Sequence, residues 1–376
     1  RSAGGYRLVQ DAGRTVLNAV GAYIFAGGFS VGVSKHYRVL AHLEGDKYGN
    51  ATFKLNFPDV PAYWPPDKWP LEDLKGKGVD LVYANPPCAP WSQVGASLTS
   101  KNNQNWRVDP RTDCFRRSVL VGLAVESKAV VVESVLNVMT RGWDFVVEQA
   151  KALRGAGYEV SLVRHDSVFW GLPQRRRRLF VVGTKFHVDW PRPPVKLTPA
   201  REVLEGLTNL GLTKTLEAKY LPLWELMALM PNDRKRSLRR VYLETWKTKK
   251  GSPRLTTHMV TFDGPVSTII GMTQIHPDEP RYLSERELAR LNGFPDSFMF
   301  HHPARKHPLS AVASEIARGV NPVISEWVAG VLSRQQLLNE PASDVIRIVD
   351  FMPKSRTDFV PKNTEEDVTE RVLGGS

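Results

Sequence analysis

The sequence predicts an α/β fold: a doubly wound, mostly parallel sheet of Rossmann-like type with a second, smaller domain. Three observations lead to it. Short β-branched runs alternate with helical patterns through the first half of the 376-residue chain, which implies parallel strands with helices on both faces. Two of the runs, VDLVYAN and AVVVES, are apolar nearly throughout, as strands covered on both faces are. Gly27–Gly28, Glu44, Cys88 and Glu133 each fall at or just past the carboxyl end of a run, the edge at which such sheets bind ligands.

TVLNAVGAYIFAGGF reads as a first strand entering a glycine turn, VLAHLE as a second that stops on an acid, and VDLVYAN as a third. CFRRSVLVGLAVES has helical periodicity, with Phe115, Val119, Gly122 and Leu123 on one side. AVVVES is a fourth strand, WDFVVEQAKALRGAG a helix closed by glycines, and YEVSLVRHDS and RRLFVVGTKF two further strands. After PRPPVKLTP the texture changes, and short helical patterns mix with the basic clusters RKRSLRR and KTKKG. YLSERELARLNGF opens on a capping box, Ser284 with Glu287 three residues on, and EIARGVNPVISEWVAGVL returns to apolar helical periodicity. The expected division is therefore a catalytic α/β domain over 1–198, an inserted module over 199–280 and a return over 281–335. The tail, 336–376, is expected to be partly disordered, since few large apolar groups follow Phe359.

Composition narrows the class. A formal charge of +12 and a pI near 9.6 favour an anionic polymer as partner, nucleic acid first. The two cysteines are too few for a disulfide framework and lack zinc-ligand spacing, which fits a reducing compartment and no metal. The first residues lack the apolar core of a signal peptide, and no apolar run is long enough to cross a bilayer.

Four features carry chemistry. Cys88 sits in YANPPCAPWS, where Pro86 and Pro87 stiffen the backbone and present the thiol in a rigid frame. Cys114 has no such frame and reads as a packing residue on a helix. Glu133 ends a very apolar strand, where an unpaired carboxylate is costly. In GLPQRRRRLFVVG four arginines run into a strand, so Arg176 and Arg178 share one face while Arg175 and Arg177 share the other. A basic run is usually a solvated face, but the flanking apolar residues turn one pair inward.

In this order ANPPCAPWS, VVVESV, GLPQRRRRLFVVG and SERELARLNGFPDSF resemble the DNA (cytosine-5) methyltransferases over about residues 20–335. The resemblance implies that Cys88 attacks C6 of a flipped cytosine, that Glu133 holds N3 and the exocyclic amine, and that Arg178 with Arg176 binds the ring oxygen or fixes the nucleophile loop. It places Ser92 and Gln174 on the substrate side. It makes S-adenosylmethionine the methyl donor, with Phe25, Ala26, Gly27, Gly28, Glu44, Pro87 and Val320 around it. GAYIFAGGF departs from the family's glycine loop: matching its second half puts Phe25 at the first glycine and Gly21 at the acid, while matching FAG requires a deletion in the turn. Gly45 replaces the usual bulky residue after the acid, and GVNPV puts Val320 at an asparagine position unless the alignment slips to Asn321. A modified S-adenosylmethionine-type donor is the sharper alternative that these departures raise.

The module over 199–280 becomes a target-recognition domain for double-stranded DNA, with Thr268, Arg236 and Arg239 as contacts to the substrate. The resemblance also implies a monomer in the cytoplasm of a bacterial or phage-infected cell, with a restriction endonuclease as a companion. Rival readings are an exocyclic-amine methyltransferase, suggested by NPP; a catalytically inactive DNA-binding relative, suggested by the altered glycine loop; and an RNA enzyme of the same chemistry.

Overall fold

β1 (Asn18–Ala22) and β4 (Leu81–Ala84) lie side by side at the centre of an eight-stranded sheet, and every one of their residues is buried. The computed structural model describes residues 16–45, 47, 49–91, 106–230, 236–247 and 256–352. These divide into two compact units: Arg1–Asp166, Arg177–Pro193 and Pro322–Ser376 in the first, and Ser167–Arg176 and Pro194–Asn321 in the second. The second unit thus runs on through the segment expected to return to the catalytic domain and ends at Asn321.

In the first unit the chain passes through β1, α1 (Gly28–Val33), β2 (Arg38–Leu43), α2 (Asn50–Asn56), β3 (Ala62–Tyr63), α3 (Leu71–Lys75) and β4. It continues through α4 (Thr112–Ala124), β5 (Ala129–Val135), α5 (Val138–Arg141), α6 (Trp143–Gly155) and β6 (Glu159–Asp166). After an excursion into the second unit, where β7 (Gln174–Arg175) lies, it returns as β8 (Arg177–Thr184). The spatial order is β13-β6-β8-β5-β4-β1-β2-β3, and only β8 runs against its neighbours. Strand order reverses between β1 and β4, so the carboxyl ends of these strands border the crevice in which doubly wound sheets bind their ligands.

Val20, Val82, Val130, Val132 and Leu179 from the strands pack with Phe115, Val119 and Phe145 from α4 and α6 in one apolar cluster. Phe115 and Val119 face inward as the helical periodicity predicts, because residues spaced by three and four share a helix face. α1 packs on α12 (Pro322–Leu338) so closely that a Cβ at Gly32 would stand 2.2 Å from Ser325 Oγ and Glu326 N.

The expected tail contributes β13 (Ile346–Phe351), an edge strand parallel to β6. Charge holds it there. Arg164 Nη1 donates to Asp350 at 2.9 Å, and the buried Glu159 takes hydrogen bonds from Ser343 N, Ser343 Oγ and Arg347. Burial alone would raise the Glu159 carboxyl, but the Ser343 bonds and the nearby cations outweigh it and hold the group below its ordinary value. IRIVDF alternates charge with apolar groups and reads poorly as a buried strand. Its place depends on these long-range partners.

The second unit carries α7 (Ala200–Leu204), α8 (Leu221–Ala228), β9 (Arg236–Ser237), α9 (Leu238–Trp246), β10 (His258–Met259), β11 (Val266–Ser267), β12 (Gln274–Ile275), α10 (Glu285–Leu291) and α11 (Pro308–Arg318). Its strands form two small sheets, β12-β10-β9 and β11-β7. Leu223, Met227, Leu238 and Val241 make its own apolar core. α10 begins at the capping box read from the sequence: Ser284 N donates to Glu287 Oε2 at 2.7 Å, and Glu287 N to Ser284 Oγ at 3.3 Å. Among the described residues no helix is long and apolar enough to cross a membrane.

Candidate active site

The loop after β4 leaves the sheet through Asn85, buried Pro86 and exposed Pro87, and brings Cys88 to a half-buried position. Trp91 anchors it. Its amide donates to Cys88 O at 3.1 Å, and its fully buried indole lies 5.2 Å from the Phe145 ring and 6.0 Å from that of Phe115. Arg111, just before α4, is clamped by Asp109 through Nε at 2.9 Å and Nη2 at 2.6 Å, which holds the Asp109 carboxyl below its usual range. The same guanidinium interacts electrostatically with Cys88 and Cys114.

At the end of β5, Glu133 is 3% exposed, and Arg178 on β8 faces it with Nε 2.9 Å from Oε1. The contact is an ion pair rather than a well-aligned hydrogen bond. Register explains it: Glu133 pairs with Phe180 and Val135 with Arg178, so the two side chains are diagonal neighbours on one face. Arg178 Nη1 also donates to Arg177 O at 2.8 Å.

The turn after β1 is unusual. Tyr23 (φ 53°), Phe25 (φ 60°) and Gly27 (φ 94°) all adopt the left-handed conformation, which side chains other than glycine disfavour. Phe25 thus holds a backbone shape suited to glycine. A Cβ at Gly27 would lie 2.9 Å from Phe53 Cδ2, so glycine is needed there on both counts. Phe25 N donates to Glu44 Oε1 at 2.7 Å, and His42 Nε2 lies 2.6 Å from the same oxygen. Ala26, Gly27 and Gly28 are buried behind this contact. Trp69 Nε1 donates to Glu44 O at 3.1 Å, and Trp69 meets the Tyr23 ring edge-on at 5.3 Å. A Cβ at Gly45 would come 3.3 Å from Tyr23 Cε1, so Tyr23 borders the space that a bulky residue after the acid would fill. Cys114 packs against the apolar cluster as expected, and burial pushes its thiol and the Tyr23 hydroxyl up.

The remaining predicted positions lie in the second unit. Gln174 is fully buried, donating to Asn292 Oδ1 at 2.8 Å and Leu291 O at 3.2 Å and accepting from Ile269 N at 3.0 Å. Arg176 is buried too, and donates to Ala317 O at 2.9 Å and Gly319 O at 3.0 Å. It therefore braces the segment that carries Val320, which is itself buried, while Asn321 Nδ2 donates to Asn292 Oδ1 at 2.9 Å. Thr268 Oγ1 donates to Arg175 O at 2.6 Å. Arg239 on α9 has no ion-pair partner among the described residues, unlike Arg240, which pairs with Glu244 at 2.7 Å. Ser92, Arg234, Lys235 and the side chain of Arg236 lie outside the described residues. A cavity of about 800 Å³ in this unit, lined by Leu204, Leu207, Phe262, His276 and Arg281, contains none of the predicted chemistry.

The first unit thus gathers a proline-framed cysteine, a buried glutamate paired with a partly buried arginine, and an acid beside a glycine turn on the carboxyl edge of its sheet. A profile of the C-5 cytosine-specific DNA methylase family matches residues 23–330. The chain belongs to that family. The type II methyltransferase M1.HphI of Haemophilus parahaemolyticus is 25% identical to this methylase over 323 residues, 81% of this chain and 83% of that protein. The type II methyltransferase M.HaeII of Haemophilus aegyptius is 25% identical over 291 residues, 74% and 82% of the two chains. Among solved structures, a prophage-encoded E. coli protein described as a DNA modification methyltransferase has a TM-score of 0.62 at 19% identity, over 86% of the methylase and 100% of that chain. The S. pombe Dnmt2 methyltransferase gives 0.58 at 16% identity, over 86% and 100%. The methylase is an enzyme acting at C5 of cytosine in DNA, and its family implies S-adenosylmethionine as donor.

Sequence reading missed His42, Trp91 and Arg111. The spacing His42-x-Glu44 within a strand carried a signal, since alternate residues share a face. Nothing local marks Arg111.

Proposed function

We propose that Cys88 is the nucleophile, Glu133 the acid and Arg178 the residue that holds Glu133 in place. What carries this reading is the buried Glu133–Arg178 ion pair in the unit that also presents Cys88 at its sheet edge. C5 of cytosine is a weak nucleophile until the ring becomes an enamine. The Cys88 thiolate adds to C6 while Glu133 supplies a proton at N3, so the electron pair moves to C5. After C5 has taken a methyl group, its proton is lost to a base and the Cys88 sulfur leaves C6. A base inside a duplex cannot reach these groups, so the cytosine is flipped out. Arg176 and Gln174, committed to carbonyls and amides of the second unit, act by keeping the segment around Val320 in shape.

S-adenosylmethionine supplies the electrophilic methyl when bound. The residues fit it: Glu44 Oε1 is taken by Phe25 and His42, which leaves Oε2 for ribose hydroxyls, and Tyr23, Trp69 and Gly45 border a space suited to a flat ring. One observation favours a second reading, a modified donor: Phe25 places a benzyl group where a left-handed glycine would leave room. The substrate is double-stranded DNA, contacted through Thr268, Arg236 and Arg239. The enzyme works as a monomer, without a metal, in the bacterial cytoplasm beside a restriction endonuclease of the same specificity.

The test is nucleoside mass spectrometry of cytosine-containing duplex DNA after incubation with S-adenosylmethionine, paired with trapping on 5-fluorocytosine DNA. 5-Methyl-2′-deoxycytidine and an adduct that Cys88→Ala abolishes are expected. An adduct that survives Cys88→Ala would end the proposal. Tight binding of 5-fluorocytosine DNA without a methylated product would favour the modified donor.

A further inference from the structure

We infer that His42 is a positioning residue for donor binding, setting which oxygen of Glu44 faces the donor. The inference rests on the reading of Glu44 as the acid that receives the donor's ribose. His42 is the fifth residue of β2, Glu44 follows that strand, and their side chains share a face. His42 is 0% exposed, and its Nε2 lies 2.6 Å from Glu44 Oε1. A carboxylate only accepts, so the ring proton sits on Nε2. Nδ1 is buried and has no hydrogen-bond partner among the described residues. Among the described residues, the ring's single hydrogen bond is therefore the one to Glu44. Burying a polar ring for one such bond costs more than filling the same space with an apolar side chain, so packing alone does not account for a histidine here.

The surroundings make the contact rigid. The His42 ring meets Phe53 edge-on at 4.0 Å, and Phe53 stacks on Phe57 at 5.0 Å. The same Phe53 lies against Gly27 so closely that a Cβ there would stand 2.9 Å from it. Backbone bonds fix both ends, His42 N to Pro61 O at 2.9 Å and Glu44 N to Tyr63 O at 2.9 Å. Phe25 N completes a closed circuit by donating to Glu44 Oε1 at 2.7 Å. The two donors converge on one oxygen, so the carboxylate cannot rotate without breaking both, and Oε2 is held ready for hydroxyl groups. Glycine turn, Phe53, His42 and Glu44 form one device whose output is the orientation of a carboxylate.

The experiment measures the Kd of S-adenosylhomocysteine by calorimetry for the wild type, H42F, H42Q and E44A, with the Kd for duplex DNA and the melting temperature of each. H42F keeps a ring against Phe53 and loses the donor; H42Q places an amide N–H near Nε2. H42F is expected to weaken S-adenosylhomocysteine about tenfold, or about 1.4 kcal/mol, and to raise the donor KM more than it lowers kcat. H42Q is expected to recover most of that loss, and DNA affinity should not follow the donor affinity. Equal losses in H42F and H42Q would overturn the inference, because the variants share a changed ring and not a lost donor. Weakening by E44A with none in H42F would overturn it while leaving the role of Glu44 intact. No weakening by E44A would sink the reading of Glu44 itself. Should H42F not fold, H42L carries the same comparison.

Discussion

Arg178 and Glu133 meet across the antiparallel strands β5 and β8 at 2.9 Å, with the carboxylate side chain 4% exposed. A buried acid with one cation is sensitive to which partner is removed. Arg178→Ala leaves an uncompensated charge and should cost about 3 kcal/mol of stability, whereas Glu133→Gln removes the charge itself. The double variant is expected to be more stable than Arg178→Ala alone. Chemical denaturation of the four proteins gives the coupling energy; a coupling near zero would show that the pair does not act as a unit.

Trp91 ties the Cys88 loop to the apolar cluster under Phe115 and Phe145. Trp91→Ala is predicted to cost about 3–5 kcal/mol and to slow adduct formation on 5-fluorocytosine DNA more than Cys114→Ala does. Trapping rates, measured well below the melting temperature of each variant, decide it.

In the second unit, Glu287 caps α10 and takes two hydrogen bonds from Arg281, at 2.7 Å and 2.9 Å. Burial works to raise its carboxyl, but the Arg281 and His276 contacts outweigh that and leave it well below the usual carboxylate range. A depressed carboxyl contributes stability that is full above the unfolded-state value and is lost as pH falls through the native value. Arg281→Met is therefore expected to be about 3 kcal/mol less stable at neutral pH, and the gap should narrow below about pH 4. A gap that stays constant from pH 7 to pH 3 would contradict this.

β13 is held to β6 by Arg164–Asp350 and by the bonds converging on Glu159. Truncation after Glu340 uncovers the β6 edge and should lower the melting temperature by several degrees, about 1 kcal/mol or more. Glu159→Gln should reproduce part of that loss at neutral pH and less of it in acid, since its carboxyl too is held low. Differential scanning calorimetry across pH measures both.

Much of the sheet was legible in the sequence, because VDLVYAN and AVVVES are apolar enough to be buried strands in almost any context. The capping box at Ser284 and Glu287 was legible for the opposite reason, being wholly local. β13 was not legible, since IRIVDF is anchored by acids and arginines far away in the chain. In RRRR the alternation rule proposed that Arg176 and Arg178 share one face. The chain passes from the second unit to the first between Arg176 and Arg177, so Arg176 braces Ala317 and Gly319 while Arg178 pairs with Glu133.

The sequence by itself determined the order of the motifs, the places of the proline-framed cysteine, the strand-end glutamate and the basic run, and the class of the fold. These follow from side-chain chemistry and from apolar patterning over a few residues. Tertiary structure alone decided that Glu133 takes Arg178, that Glu44 is steadied by His42 and Phe25, that Trp91 anchors Cys88, and that Arg176 supports a backbone. Each of these depends on strand register or on contacts between distant segments, and a hydrogen bond or ion pair exists only once packing has brought its two atoms within about 3 Å.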